Sequence, residues 1–165
     1  MRRLICFLIC LRRVLHNLYF MIDGVGIYPR QMFCNEQGCV YRVMRNDDEC
    51  FERFGEAYIS SIKPGVVKGW NLHTRADMNI ACIQGIIRLV LYDQRQDSPS
   101  RGVIEEITMG KDNYCLVHIP HGVAFSWKVL NRDEAYLMNC STLPHDPDEL
   151  LKMDIIGSDI PYQWK

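Results

Sequence analysis

From Ala57 onward the chain is a succession of short runs rich in Val, Ile and Tyr, several alternating in polarity, separated by glycine, proline and asparagine turns. Such a pattern constrains the fold more than any other feature, because period-two alternation suits half-buried strands and no helix of ordinary length fits between the breaks. The expected strands are Val40–Met44, Ala57–Ile62, Val66–His73, Asn79–Ile83, Ile86–Tyr92, Val103–Met109, Tyr114–Ile119, Ala124–Leu130 and Glu134–Cys140. Gly85, "DSPSRG", "GKDN", "PHG" and "NRDE" punctuate them. Helical character is expected only in the first twenty residues and in "DPDELLKM". Many short strands at near-even spacing imply an all-β sandwich or barrel, and 165 residues suffice for one such domain.

Residues 1–20, "MRRLICFLICLRRVLHNLYF", carry five basic positions and no acid. The apolar stretch from Leu4 to Leu11 is far shorter than the roughly 20 residues needed to span a bilayer, and Arg12 and Arg13 stand where a signal peptide would place small residues. An amphipathic helix touching a membrane surface is one reading. We favour an extension outside the fold, with a single domain over 21–165. The net charge of −1 offers no basic face for nucleic acid. The eight cysteines form no C-x-x-C pair, and Cys82, Cys115 and Cys140 lie in apolar runs where cysteine behaves as a small hydrophobe. Reduced thiols and a cytoplasmic location are expected.

Four stretches, in order, resemble the dTDP-4-dehydrorhamnose 3,5-epimerase family, a jelly-roll branch of the cupins. "FGEAYISSIKPGVVKGWNLH" is similar to the approach to its R-G-L-H motif. "YDQRQDSPSRG" fits D-x-R-x-x-S-P-t-x-G, "HIPHGVAFSW" fits the I-P-x-G-x-A-H-G-F turn, and "DIPYQW" is similar to the closing tail. The resemblance covers residues 30–164 and implies a cupin-type jelly roll opening with the strand in "MIDGVGIYPRQ". It also implies a homodimer, a dTDP-linked deoxysugar as ligand, and no metal or redox cofactor. The family's chemistry is proton abstraction beside a C-4 ketone, which needs a base, an acid on the other face and support for the enolate oxygen.

The usual residues of that chemistry are substituted here. The R-G-L-H histidine falls on Asn71, whose amide has no useful basicity. The usual lysine falls on Met78, the second histidine on Phe125 and the tyrosine acid on Met138. Gln37 and Asn35 occupy the nucleotide-binding D-x-R-G segment, and Glu56 stands where a glutamine is common. The cupin metal pattern keeps only His73, too few ligands for a metal. Alternation places His73 on the face of Asn71, roughly 7 Å along, and Tyr136 on the face of Met138. A replacement set is therefore His73 as base, Asp154 to orient it and Tyr136 as acid. Lys68, Ser60, Asn71, Glu56, Gln37 and Phe125 are the expected substrate contacts. Trp70, Phe125, Trp127, Met78 and Met138 would make the pocket apolar. Two functions stand side by side: an altered-site sugar-nucleotide epimerase, and a catalytically inactive cupin that binds a sugar nucleotide or serves as an assembly partner.

Overall fold

A computed structural model describes residues 22–165; the proposed N-terminal extension and its helical character lie outside the described residues. In chain order the strands are β1 (Gly26–Pro29), β2 (Met32–Asn35), β3 (Gly38–Tyr41), β4 (Glu56–Ile62), β5 (Val67–His73) and β6 (Met78–Gln84). There follow β7 (Ile86–Asp93), β8 (Ile104–Gly110), β9 (Cys115–Ile119), β10 (Val123–Val129), β11 (Ala135–Ser141) and β12 (Leu150–Lys152). Two five-stranded sheets, ordered β1-β9-β6-β11-β4 and β12-β5-β10-β7-β8, face each other. Their strand pairs are antiparallel, and the architecture is the expected all-β jelly roll. A separate hairpin pairs β2 with β3.

Alternation puts one row of each strand into the space between the sheets. The first sheet contributes Ile62, Ile80, Cys82, Val117, Ile119 and Leu137; the second contributes Ile87, Leu89, Leu91, Phe125, Trp127 and Val129. Each apolar side chain so buried stabilises the fold by about 1.5–3 kcal/mol. The opposite row of β5 packs outward: Trp70 and Leu72 lie with Val90, Ala124 and Ile160 beneath the C-terminal tail. Trp70 is therefore not a pocket residue as expected; it is fully buried on the far side of its strand, edge-on to Tyr162.

Asp93 ends β7 as a wholly buried carboxylate. It accepts hydrogen bonds from Arg95 Nε and Nη2 at 2.9 Å, Ser98 Oγ at 2.6 Å and Ser100 Oγ at 2.7 Å. Burial raises its pKa, but these donors outweigh burial and hold the carboxyl well below the usual range. The "DQRQDSPS" segment is thus a structural turn, and Arg95 also donates to Asp23 O, tying the N-terminal arm to it.

Two further expectations are corrected. "DPDELLKM" is not helical: its end forms β12, which pairs Leu150 with His73 and Lys152 with Asn71. Satisfying backbone groups on β5 prevails over weak local helix preference. Not all thiols are reduced either. Cys34 and Cys39 face each other across the β2–β3 hairpin and form a disulfide, while Cys50, Cys82, Cys115 and Cys140 are free and buried. Burial pushes the Cys82 and Cys115 thiols up to about 11, so they are protonated packing groups.

Candidate active site

The space between the sheets changes character along its length. Trp127, Leu89, Ile87, Leu137 and Ile62 fill one end. The other end carries a row of polar residues. From β5 come Asn71 and His73, on the inward face by virtue of Trp70 and Leu72 facing out. From the opposite wall, register pairs Tyr58 with Asn139, Ser60 with Leu137 and Glu56 with Ser141. Since Leu137 is core, Tyr58, Ser60, Glu56 and Asn139 share its inward face.

His73 is the centre of this group. Its ring is largely buried and lies parallel to Phe125, centroids 5.9 Å apart. Nδ1 meets Glu149 Oε1, and the other carboxylate oxygen accepts the backbone N–H groups of Arg75 and Ala76, each at 3.3 Å. Burial works to raise the Glu149 carboxyl, but the bonds from His73, Ala76 and Arg75 outweigh it and hold the pKa below its ordinary value. An ionised carboxylate only accepts, so His73 Nδ1 carries a proton, and in the neutral ring this leaves the lone pair on Nε2. Among the described residues Nε2 has no hydrogen-bond partner, and it is not among the buried unpartnered atoms, so it keeps some contact with solvent. A histidine held this way has the form of a general base.

The expected residues divide accordingly. Asn71, Phe125, Ser60 and Glu56 belong to the inward group; Ser60 Oγ accepts from Asn139 Nδ2 at 3.1 Å. Lys68 lies at its edge, over the Trp127 ring at 5.5 Å and donating to Ser61 O at 3.2 Å. Asp154 is exposed and not a partner of His73. Register explains this: Met153 exchanges backbone bonds with Trp70, so Glu149, opposite Thr74, is the carboxylate beside His73. Tyr136 does share a face with Met138, but it is the outer one; its hydroxyl donates to Glu134 at 3.0 Å. Met138 accordingly packs near Val43, Phe51 and Phe54. Gln37 sits exposed at the β2–β3 turn, where its N–H donates to Asn35.

Sequence reasoning missed Glu149, Tyr58 and Asn139. The last two could have been found by following the inward parity of β4 and β11 from Ile62 and Leu137. Nothing in the sequence sets the register of the tail that delivers Glu149.

A polar-mouthed jelly roll holding a carboxylate-oriented histidine is the frame of an acid–base isomerase. The chain belongs to the dTDP-4-dehydrorhamnose 3,5-epimerase family, whose model matches residues 20–165. It is 33% identical over 146 residues to the spore coat polysaccharide biosynthesis protein SpsL of Bacillus subtilis, covering 87% of this chain and 97% of that protein. It is 29% identical over 133 residues to the probable low-salt glycan biosynthesis epimerase Agl13 of Haloferax volcanii, covering 78% and 85%. Among solved structures, the dTDP sugar isomerase of Desulfovibrio desulfuricans G20 superposes with a TM-score of 0.84 at 32% identity, covering 87% of this chain and 92% of that one.

Proposed function

We propose that the protein epimerises a nucleotide-linked 4-keto-deoxysugar, dTDP-linked as the name of the Desulfovibrio isomerase indicates, in the synthesis of a surface polysaccharide or glycan, as the names of the two curated relatives indicate. The observation that carries this reading is His73, with Nδ1 fixed on Glu149 and Nε2 left without a partner among the described residues. His73 removes the proton beside the ketone; the electrons pass to the C-4 oxygen, so the substrate itself supplies the electron sink and no metal is needed. Asn71, whose amide has no partner among the described residues, donates to the developing enolate oxygen. Lys68 supplies a point charge for the phosphates, and Phe125, Ser60 and Glu56 line the sugar site.

The test is incubation with dTDP-4-keto-6-deoxyglucose in heavy water. Wild type should incorporate deuterium beside the ketone, and His73→Ala should abolish it. Exchange that continues unchanged in His73→Ala removes His73 as base.

The second reading, a sugar-nucleotide-binding cupin without catalysis or an assembly partner, draws on Asn71 at the family's base position. Thermal stabilisation by dTDP with no exchange in wild type would establish it. As the working unit we take residues 21–165, as a homodimer covering its exposed sheet edges; a monomer mass in sedimentation equilibrium would remove that assignment. A cytoplasmic location fits the buried free thiols. The Cys34–Cys39 bridge runs against it, since disulfides are rare in that compartment; thiol counting on protein trapped in cells decides between them.

A further inference from the structure

We propose that Tyr58 is the proton donor on the face opposite His73, so that the two sheets hold the two halves of the proton transfer. This rests on the epimerase reading with His73 as base. Inverting a carbon requires the incoming proton to arrive from the side opposite the one it left. His73 belongs to the sheet of β5, and the wall that faces it is the sheet of β4 and β11.

The inward rows of that wall are Ile62, Ser60, Tyr58 and Glu56 on β4, and Ala135, Leu137, Asn139 and Ser141 on β11. Ile62, Ala135 and Leu137 have no proton to give. The Asn139 amide is engaged with Ser60 Oγ at 3.1 Å and Leu137 O at 3.0 Å. Serine hydroxyls are far weaker acids than a phenol, and Ser141 Oγ already accepts from Leu143 N at 3.2 Å. Glu56 stands at the end of the row, opposite Ser141 and one inward position beyond Tyr58. Tyr58 remains. Its hydroxyl has no hydrogen-bond partner among the described residues, and its 40% exposure leaves it a path to water for recharging.

The Tyr58 phenol also lies within the field of Glu149, the carboxylate that holds His73, which places it at the same end of the interior. Burial, then the charges of Glu56 and Glu149, raise its pKa and keep the proton on the oxygen until a basic carbon is presented. In the step itself, His73 Nε2 takes the proton from carbon and the C–H pair moves into the enolate. The enolate carbon then takes the Tyr58 proton on its other face, the new C–H bond forms and the ketone returns. The phenolate regains a proton from water, and His73 loses its own to water.

The experiment is Tyr58→Phe with dTDP-4-keto-6-deoxyglucose in heavy water, following deuterium content and configuration separately by proton NMR. Inverted product should fall by about 10²–10⁴-fold. Deuterium incorporation with retained configuration should persist, because His73 can return a deuteron to the face it attacked. Stabilisation by dTDP should match wild type, which excludes misfolding. Inverted product at the wild-type rate overturns the proposal while leaving His73 as base, and loss of exchange together with inversion overturns it too. Absence of exchange in wild type overturns the epimerase reading itself, and is seen before any variant is made.

Discussion

Replacing Glu149 by Gln keeps the shape of the side chain and removes its charge. The amide oxygen can still accept the Arg75 and Ala76 N–H groups, which turns the NH₂ toward His73 Nδ1. That amide donates, so Nδ1 must become the acceptor and the ring proton moves to Nε2. The nitrogen that faced the substrate as a base then faces it already protonated. Loss of general-base action is worth about 10²–10⁴-fold, or about 2.7–5.4 kcal/mol of transition-state stabilisation at 1.36 kcal/mol per decade. The folding cost is smaller: exchanging a charge-assisted hydrogen bond for a neutral one loses about 1 kcal/mol, or roughly 2–4 °C in a domain of 165 residues. Deuterium wash-in at 25 °C on folded Glu149→Gln protein should therefore fall by at least a hundredfold, while nitrogen NMR of the ring shows the tautomer exchanged. Wash-in at the wild-type rate with the tautomer exchanged would refute the reasoning, since a protonated Nε2 cannot remove the substrate proton.

Two further outcomes concern stability. Gly69 has φ +110°, and a Cβ there would lie 2.7 Å from Phe125 O and 2.9 Å from Ser126 Cα; Gly69→Ala should cost at least about 2 kcal/mol in thermal unfolding from backbone strain and collision. The Asp93 carboxyl has a folded pKa below its unfolded one, so its contribution is complete above the unfolded value near 4 and fades as pH falls through that value toward the folded one. Asp93→Asn should destabilise the protein at pH 7, toward the low end of the about 3–5 kcal/mol lost on breaking a buried pair, and flatten the acid limb of the stability profile. An unchanged acid limb in Asp93→Asn would show that this turn does not govern acid unfolding.

The strands were legible because alternation and turn residues are local signals, and the nine expected strands all have counterparts. β2 and β12 were not expected: "MFCN" is almost wholly exposed and does not alternate, and "LLK" is a three-residue strand that reads as the start of a helix. At the site, alternation correctly grouped His73 with Asn71 and Tyr136 with Met138. It cannot say which group faces inward, since a period of two treats both faces alike. Only the packing of Leu137 and Ala135 against the opposite sheet decides that Tyr136 faces out and Tyr58 in. The exchange of Asp154 for Glu149 has a different cause, because the pairing of β12 with β5 is a long-range choice made by backbone bonds.

Trp70 and Leu72, sealed under the C-terminal tail, fix β5 from behind while its other face carries the polar residues. Anchorage and chemistry thus occupy alternate positions of one strand. Asn71 or His73 can change without dislodging the strand, because neither contributes to its anchorage. The same division makes the tail a determinant of how β5 is held: trimming the residues packed on Trp70 and Leu72 would loosen the strand and blur the aim of the histidine it carries.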